Sequence, residues 1–415
     1  MLLFVPRETD PTETRVAASP ETVKKYAALG FDIVVEAGAG LKSRIPDDAY
    51  QAAGARIGKA ADAGKADLVL RVRRPASGEI NAMKAGAAIV AIQDPHGNNA
   101  AIAEMAKAGL SAFAMELMPR ITRAQVMDVL SSQANLAGYQ AVIEAAATYD
   151  RGLPMMMTAA GTVPAARVFV MGAGVAGLQA VATARRLGAL VTATDVRPAA
   201  KEQVASLGAK FVAVEDEEFK AAETAAGYAK EMSREYQAKQ AALVASHIAK
   251  QDIVITTALI PGRPAPKLVS AEMVRSMGTG SVIVDLAVER GGNVEGSVAD
   301  KVAEVGPARI IGYTNMAGRI AATASLLYAR NLYAFVETLV DKEKKAIAIN
   351  PDDELVKATL LTHGGKVVHS GFADSANGSS QKSSGPGKPA AKAKNNPAAK
   401  TSLKTANGKG RGSGE

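Results

Sequence analysis

The stretch from Arg167 to Asp195, RVFVMGAGVAGLQAVATARRLGALVTATD, constrains this chain more than any other. An apolar run, Val168 to Met171, leads straight into Gly172, Gly174 and Gly177 at G-x-G-x-x-G spacing. A helical pattern follows, and a second apolar run ends in Asp195. Strand, glycine turn, helix, strand and terminal acid in that order form a dinucleotide fingerprint in its full context. Gly172 permits the tight turn, Gly174 lets the backbone approach a pyrophosphate, and Gly177 lets the helix lie against the sheet. The helix start, at Val175 and Ala176, offers free N–H groups and a partial positive charge to phosphates. Asp195 is placed to accept hydrogen bonds from a ribose diol. A 2′-phosphate there meets a like charge, which favours NAD(H) over NADP(H). The plain alternative, a glycine-rich turn without a ligand, leaves the agreement of all five features unexplained.

The rest of the chain repeats the same alternation. At 415 residues, two or three domains are expected. Strands are predicted near Leu2–Val5, Ile33–Glu36, Leu68–Val72, Ala88–Ile92 and Ala112–Met115, with helices over Pro20–Leu29, Asp47–Ala53, Ser77–Met83 and Asn98–Ala108. A long helix from about Ala124 to Tyr149 bridges to a second lobe. There, strands are predicted at Arg167–Met171, Leu190–Thr194, Lys210–Val214, Ile253–Thr257, Val282–Leu286 and Arg309–Gly312. A helix over Ser325–Leu339 returns the chain to the first lobe. The expected fold class is α/β: two Rossmann-like, doubly wound parallel-sheet lobes with a cleft between them, plus a disordered C-terminal tail. The expected domains are 1–130 with 320–372, then 131–319, then the tail 373–415. The connection from Val214 to Ile253 is too long for an ordinary βα unit and reads either as a lid or as a charged surface helix.

Composition narrows the chemistry. With no cysteine, disulfides, thiolate metal sites and cysteine nucleophiles are excluded. The four histidines (His96, His247, His363 and His369) show no metal-ligand pairing, so no metal is expected. The run Met155–Met157 reads as packing. No uninterrupted apolar stretch is long enough to span a bilayer, and the N-terminus does not read as a signal peptide. Residues 375–415 hold seven Lys and one Arg against Glu415, so nearly all of the net +8 charge lies in the tail. The globular part is close to neutral, and a nucleic-acid-binding face is not implied. The tail reads as a solvated tether or as a basic arm for an acidic lipid or partner.

The segment RITRAQVMDVLSSQ, from Arg120 to Gln133, offers a cation (Arg120), an amide (Gln125), a carboxylate (Asp128) and a hydroxyl (Ser131). The last three fall roughly along one helical face and suit a carboxamide and a ribose; an interlobe polar network is the alternative. Together with VMGAGVAGLQAVATARRLGALVTATDVRP and TTALIPGRPAP, this segment resembles the NAD(H)-binding component of proton-translocating nicotinamide nucleotide transhydrogenases. The alanine dehydrogenases share much of the pattern. The transhydrogenase resemblance implies that Arg120, Gln125, Asp128 and Ser131 surround the nicotinamide, that Val175, Ala176 and Gly177 lie at the pyrophosphate, and that Asp195, Val196 and Arg197 lie at the adenosine. It also implies that Gly227 and Tyr228 belong to a mobile loop and that Thr257 and Leu259 line the pocket edge. Arg197 is read as an adenine-side or helix-start residue, although an arginine near this point can also receive a 2′-phosphate.

By the same resemblance, NAD(H) is bound here and NADP(H) by a partner. Hydride passes directly between them, proton translocation resides in a membrane-spanning subunit, and this component forms a homodimer on the cytoplasmic side of the inner membrane. An alanine dehydrogenase needs a general acid/base and a carboxylate clamp. Arg15 matches its substrate arginine, but Arg73 stands for its lysine, Gln93 for its histidine and Glu289 for its aspartate, with His96 three residues beyond in a turn. A third possibility is a non-catalytic NAD(H)-binding regulator.

Overall fold

Runs of Val, Ile and Leu flanked by glycine and aspartate form the central strands, because branched apolar side chains pack on both faces of a parallel sheet. A computed structural model of the protein describes residues 1–222, 232–260 and 262–373. Gly227, Tyr228 and the basic tail lie outside the described residues.

The first sheet has eight strands in the spatial order Lys366–Val367, Leu360–His363, Ser111–Ala114, Ala88–Ile92, Leu68–Arg73, Leu2–Val5, Asp32–Glu36 and Arg56–Gly58. Six are parallel, and the C-terminal pair joins antiparallel at one edge. Helices Pro20–Ala28 and Ala321–Thr338 cover one face, where Tyr26, Tyr328, Leu332 and Phe335 are buried. The helix Asn99–Lys107 covers the other face through Ile102 and Met105.

The second sheet has the order Lys210–Phe211, Leu190–Thr194, Arg167–Met171, Ile253–Thr256, Ser281–Asp285, Ala308–Ile311 and Val302–Val305. The first six are parallel; Val302–Val305 is antiparallel to its neighbour. This is the doubly wound order, with its reversal between the fingerprint strand Arg167–Met171 and Ile253–Thr256. The structure thus has two α/β lobes built on largely parallel sheets.

Several expectations are corrected. The bridging helix runs over Val129–Thr148 rather than from Ala124; a 3-10 helix, Thr122–Met127, precedes it. The break falls at Asp128, whose extended backbone (ψ 92°) and capping carboxylate start the helix. Asp is a better cap than a helix-interior residue, so Gln125, Asp128 and Ser131 do not share one α-helical face. The strand expected at Lys210–Val214 closes after Phe211. The three methionines do not pack inside. They lie on a two-stranded ribbon, Met156–Thr158 with Gly161–Val163, separate from both sheets, with Met155 63% and Met157 81% exposed. In the long connection, Arg234–Ile248 forms a helix. Among the described residues, no helix is long and apolar enough to cross a membrane.

Candidate functional site

The fingerprint turn lies at the point where strand order reverses, the usual place for a ligand in an open α/β sheet. Gly172 leaves the strand at φ +106°, a conformation that favours glycine. Thr257, at the end of the neighbouring strand, closes this corner. Its N–H donates to the Met171 carbonyl at 2.9 Å and its hydroxyl to the Gly172 carbonyl at 3.2 Å. Gly177 packs directly beneath: a Cβ there would stand 1.7 Å from the Gly172 carbonyl oxygen. Gly174 differs, since a Cβ added to it would meet nothing within 4 Å. The helix Val175–Arg186 begins at that open glycine without a side-chain cap. Bare backbone beside uncapped N–H groups is the donor chemistry that a pyrophosphate takes, so the turn fits a dinucleotide.

Asp195, one residue past the strand Leu190–Thr194, faces the same turn. It accepts from the Ala173 N–H at 2.7 Å and from the backbone N–H of Arg197 at 2.9 Å. The Arg197 guanidinium also closes on it. Val196 lies between them, half exposed.

The bridging helix reaches the fingerprint at Gly138, where a Cβ would come 2.0 Å from the Ala176 carbonyl oxygen. Only glycine allows this contact between the two helices. Seven residues nearer its N-terminus, about 10 Å along the axis, is Ser131. Asp128 caps the helix by accepting from the Ser131 N–H at 2.9 Å and from its hydroxyl at 2.5 Å. The structure therefore joins Asp128 to Ser131. Gln125 lies on the 3-10 turn and Arg120 on the bend before it, both exposed and on the first-lobe side of Asp128.

Leu259 is exposed beside Ala258, whose position is fixed from across the lobe. Asn293 accepts from the Ala258 N–H at 3.0 Å and donates to the carbonyls of Ala258 and Pro266 at 2.9 and 2.8 Å. Buried Asp285 orients Asn293 in turn, accepting from the N–H groups of Ala287, Asn293 and Val294. Sequence reasoning misses both residues. It also misses Gly138, although an isolated glycine within a helical pattern is a signal of close approach.

At the reversal point of the first sheet lies a buried charge network. Glu13 accepts from Arg15 Nε at 2.8 Å and Nη2 at 2.7 Å, from Arg73 Nε at 2.9 Å and from Asn315 Nδ2 at 3.1 Å. Burial pushes its carboxyl up, but Arg15 and Arg73 outweigh that and hold it down at about 2. Arg15 also donates to Gln133 of the bridging helix at 2.9 Å, and Arg73 reaches Glu289 of the second lobe at 3.1 Å. Arg290 pairs with Asp94 beside it. Gln93 is fully buried, and its Oε1 has no partner among the described residues. His96 is exposed on its turn, edge-on to Phe372. A cavity of about 720 Å³, lined by Thr12, Lys42, Arg44, Asp300 and Arg319 among others, contains none of the fingerprint residues.

The chain matches two family models, "Alanine dehydrogenase/PNT, N-terminal domain" over residues 4–137 and "Alanine dehydrogenase/PNT, C-terminal domain" over residues 141–370. It is 52% identical over 376 residues to an NAD(P) transhydrogenase subunit alpha chain of Rhodospirillum rubrum, covering 89% of this chain and 98% of that one. A crystal structure of transhydrogenase from Sinorhizobium meliloti is 69% identical, with a TM-score of 0.82, covering 89% of this chain and all of that one. An L-alanine dehydrogenase structure is more distant, at 26% identity and a TM-score of 0.75, with 90% of this chain and 98% of that one covered.

Proposed function

Because this chain belongs to the alanine dehydrogenase/PNT family, we propose that it is the NAD(H)-binding subunit of a proton-translocating transhydrogenase. The 52% identity across nearly the whole of a transhydrogenase alpha chain carries this reading. The single fingerprint refines it: one dinucleotide is held here, and NADP(H) belongs to a partner subunit.

A bound nicotinamide supplies or takes up a hydride at its own ring carbon, which needs no acid or base from the protein. The work of this chain is therefore to bind, orient and exclude water. Gly172, Gly174, Val175, Ala176 and Gly177 hold the pyrophosphate; Asp195, Val196 and Arg197 hold the adenosine. Arg120, Gln125, Asp128 and Ser131 serve the nicotinamide end, with Thr257 and Leu259 at the pocket edge. Asp128 does so by fixing the start of the bridging helix and the Ser131 hydroxyl. Exposed Val126 and Leu130 flank this segment, an apolar rim suited to a partner that brings the second nucleotide. The methionine ribbon is a second exposed apolar surface, and we assign it to a homodimer contact. The subunit is cytoplasmic and peripheral on the inner membrane, with proton movement in its membrane-spanning partners.

The charge network argues against an amino-acid dehydrogenase. The two arginines that would clamp a substrate carboxylate already share Glu13, and each has a further internal partner. Gln93, at the place of the catalytic histidine, has no proton to exchange. Incubation with NAD and alanine alone should yield no NADH. Mixing the chain with an NADP(H)-binding transhydrogenase domain should produce transfer from NADH to an NADP analogue. Alanine-dependent NADH formation without any transfer would reverse this assignment.

A further inference from the structure

The adenosine end carries an ion pair that a fingerprint acid does not require. The Asp195 carboxylate has about four lone-pair positions. Four donors occupy them: the Ala173 N–H, the Arg197 N–H, Arg197 Nε on Oδ1 at 2.9 Å and Arg197 Nη2 on Oδ2 at 3.0 Å. The carboxylate expected to receive a ribose diol is thus already saturated. Its partner lies at the atoms that the 2′-hydroxyl would approach. The Asp195 side chain is 7% exposed and that of Arg197 32%, so the guanidinium is the outer, movable member of the pair. A guanidinium fork suits a phosphate as well as it suits a carboxylate.

We infer that Arg197 is a 2′-phosphate-competent cation held silent by Asp195, so that the pair, rather than the acid alone, sets which dinucleotide this chain accepts. The inference rests on the reading that the fingerprint turn binds a dinucleotide. A ribose diol exchanges two neutral hydroxyls for the two guanidinium bonds. A 2′-phosphate must approach the carboxylate and also take away its partner. Both costs vanish when the carboxylate is removed, and the same guanidinium then faces the phosphate. The preference is written in a contact between residues two apart in the chain, Asp195 and Arg197.

The test titrates NADH and NADPH into the full-length chain, followed by nucleotide fluorescence, for the unaltered protein, Asp195→Ala, Arg197→Ala and the double variant. Asp195→Ala should weaken NADH and strengthen NADPH binding, each by about tenfold, the scale of a hydrogen bond to a charged group. Arg197→Ala alone should gain no NADPH affinity, and the double variant should lose the gain. Asp195→Asn, which keeps the side-chain shape, carries the same test if the alanine variant fails to fold. Unchanged NADPH affinity in both single Asp195 variants, or a gain that persists without Arg197, overturns the inference. Failure of the unaltered chain to bind NADH overturns the dinucleotide reading beneath it.

Discussion

Gly177→Ala should abolish NADH binding in a chain that still folds. The added Cβ would stand 1.7 Å from the Gly172 carbonyl oxygen and 2.8 Å from the Gly172 carbonyl carbon. Both are backbone atoms, so no side chain can turn aside to make room. A carbon–oxygen contact needs about 3.3 Å, so the turn and the helix must part by roughly 1.5 Å. A displacement of about 1 Å at a site that works by positioning costs on the order of 100-fold. Overpacking of this kind costs only about 1–3 kcal/mol in stability. Gly174→Ala separates the two roles. Its Cβ meets no protein atom within 4 Å, so stability should not change, yet it fills the space through which a pyrophosphate approaches the backbone. Calorimetric titration with NADH, beside thermal unfolding, checks both. If Gly177→Ala binds NADH normally, the turn is not the nucleotide cradle.

Glu13→Gln has the larger effect on stability. Glu13 is buried and serves Arg15, Arg73 and Asn315 at once, while those partners reach the bridging helix and the second lobe. Removing one member of a buried charge set strands the others and costs about 3–5 kcal/mol. The same group makes stability depend on pH. Its folded carboxyl lies at about 2, below the ordinary 4.5. A lowered carboxyl stabilises the fold above its unfolded value, and that stabilisation fades as pH falls toward the folded one. Glu13 therefore contributes about 3 kcal/mol near neutral pH, lost between roughly pH 4.5 and 2. Chemical denaturation at several pH values should show a shallower acid loss in Glu13→Gln across that window. An equal slope in both proteins would place the acid sensitivity elsewhere.

The central strands are legible in the sequence because buried parallel strands are short, apolar and punctuated by glycine. The edges are not. Arg56–Gly58, Val302–Val305 and Leu360–His363 are short, and the first two alternate polar and apolar residues too briefly to stand out. Sequence pattern misplaces the start of the bridging helix because the apolar spacing of AQVMDVL continues across the 3-10 turn. Only the capping carboxylate of Asp128 marks the boundary. The methionine run reads as core because Met usually fills gaps there, and nothing local distinguishes a ribbon exposed on the surface. The fingerprint is readable since its elements are contiguous. Glu13, Asp285 and Asn293 are not, because their roles depend on partners scattered through the chain. Glu13, amid a run of Asp, Glu and Thr, looks like a surface acid until Arg15, Arg73 and Asn315 close around it. The silent pairing of Arg197 has the same character: the sequence shows the arginine, and only the geometry shows what occupies it.

The central claim is direct passage of a hydride from the nucleotide held here to one held by a partner. Tracing deuterium tests this most directly. NADH deuterated at the transferred position of its nicotinamide is mixed with this chain, an NADP(H)-binding transhydrogenase domain and NADP. The NADPH formed should carry the deuterium in full, with none released to water. Appearance of the label in solvent, or NADPH formed without it, would contradict the claim.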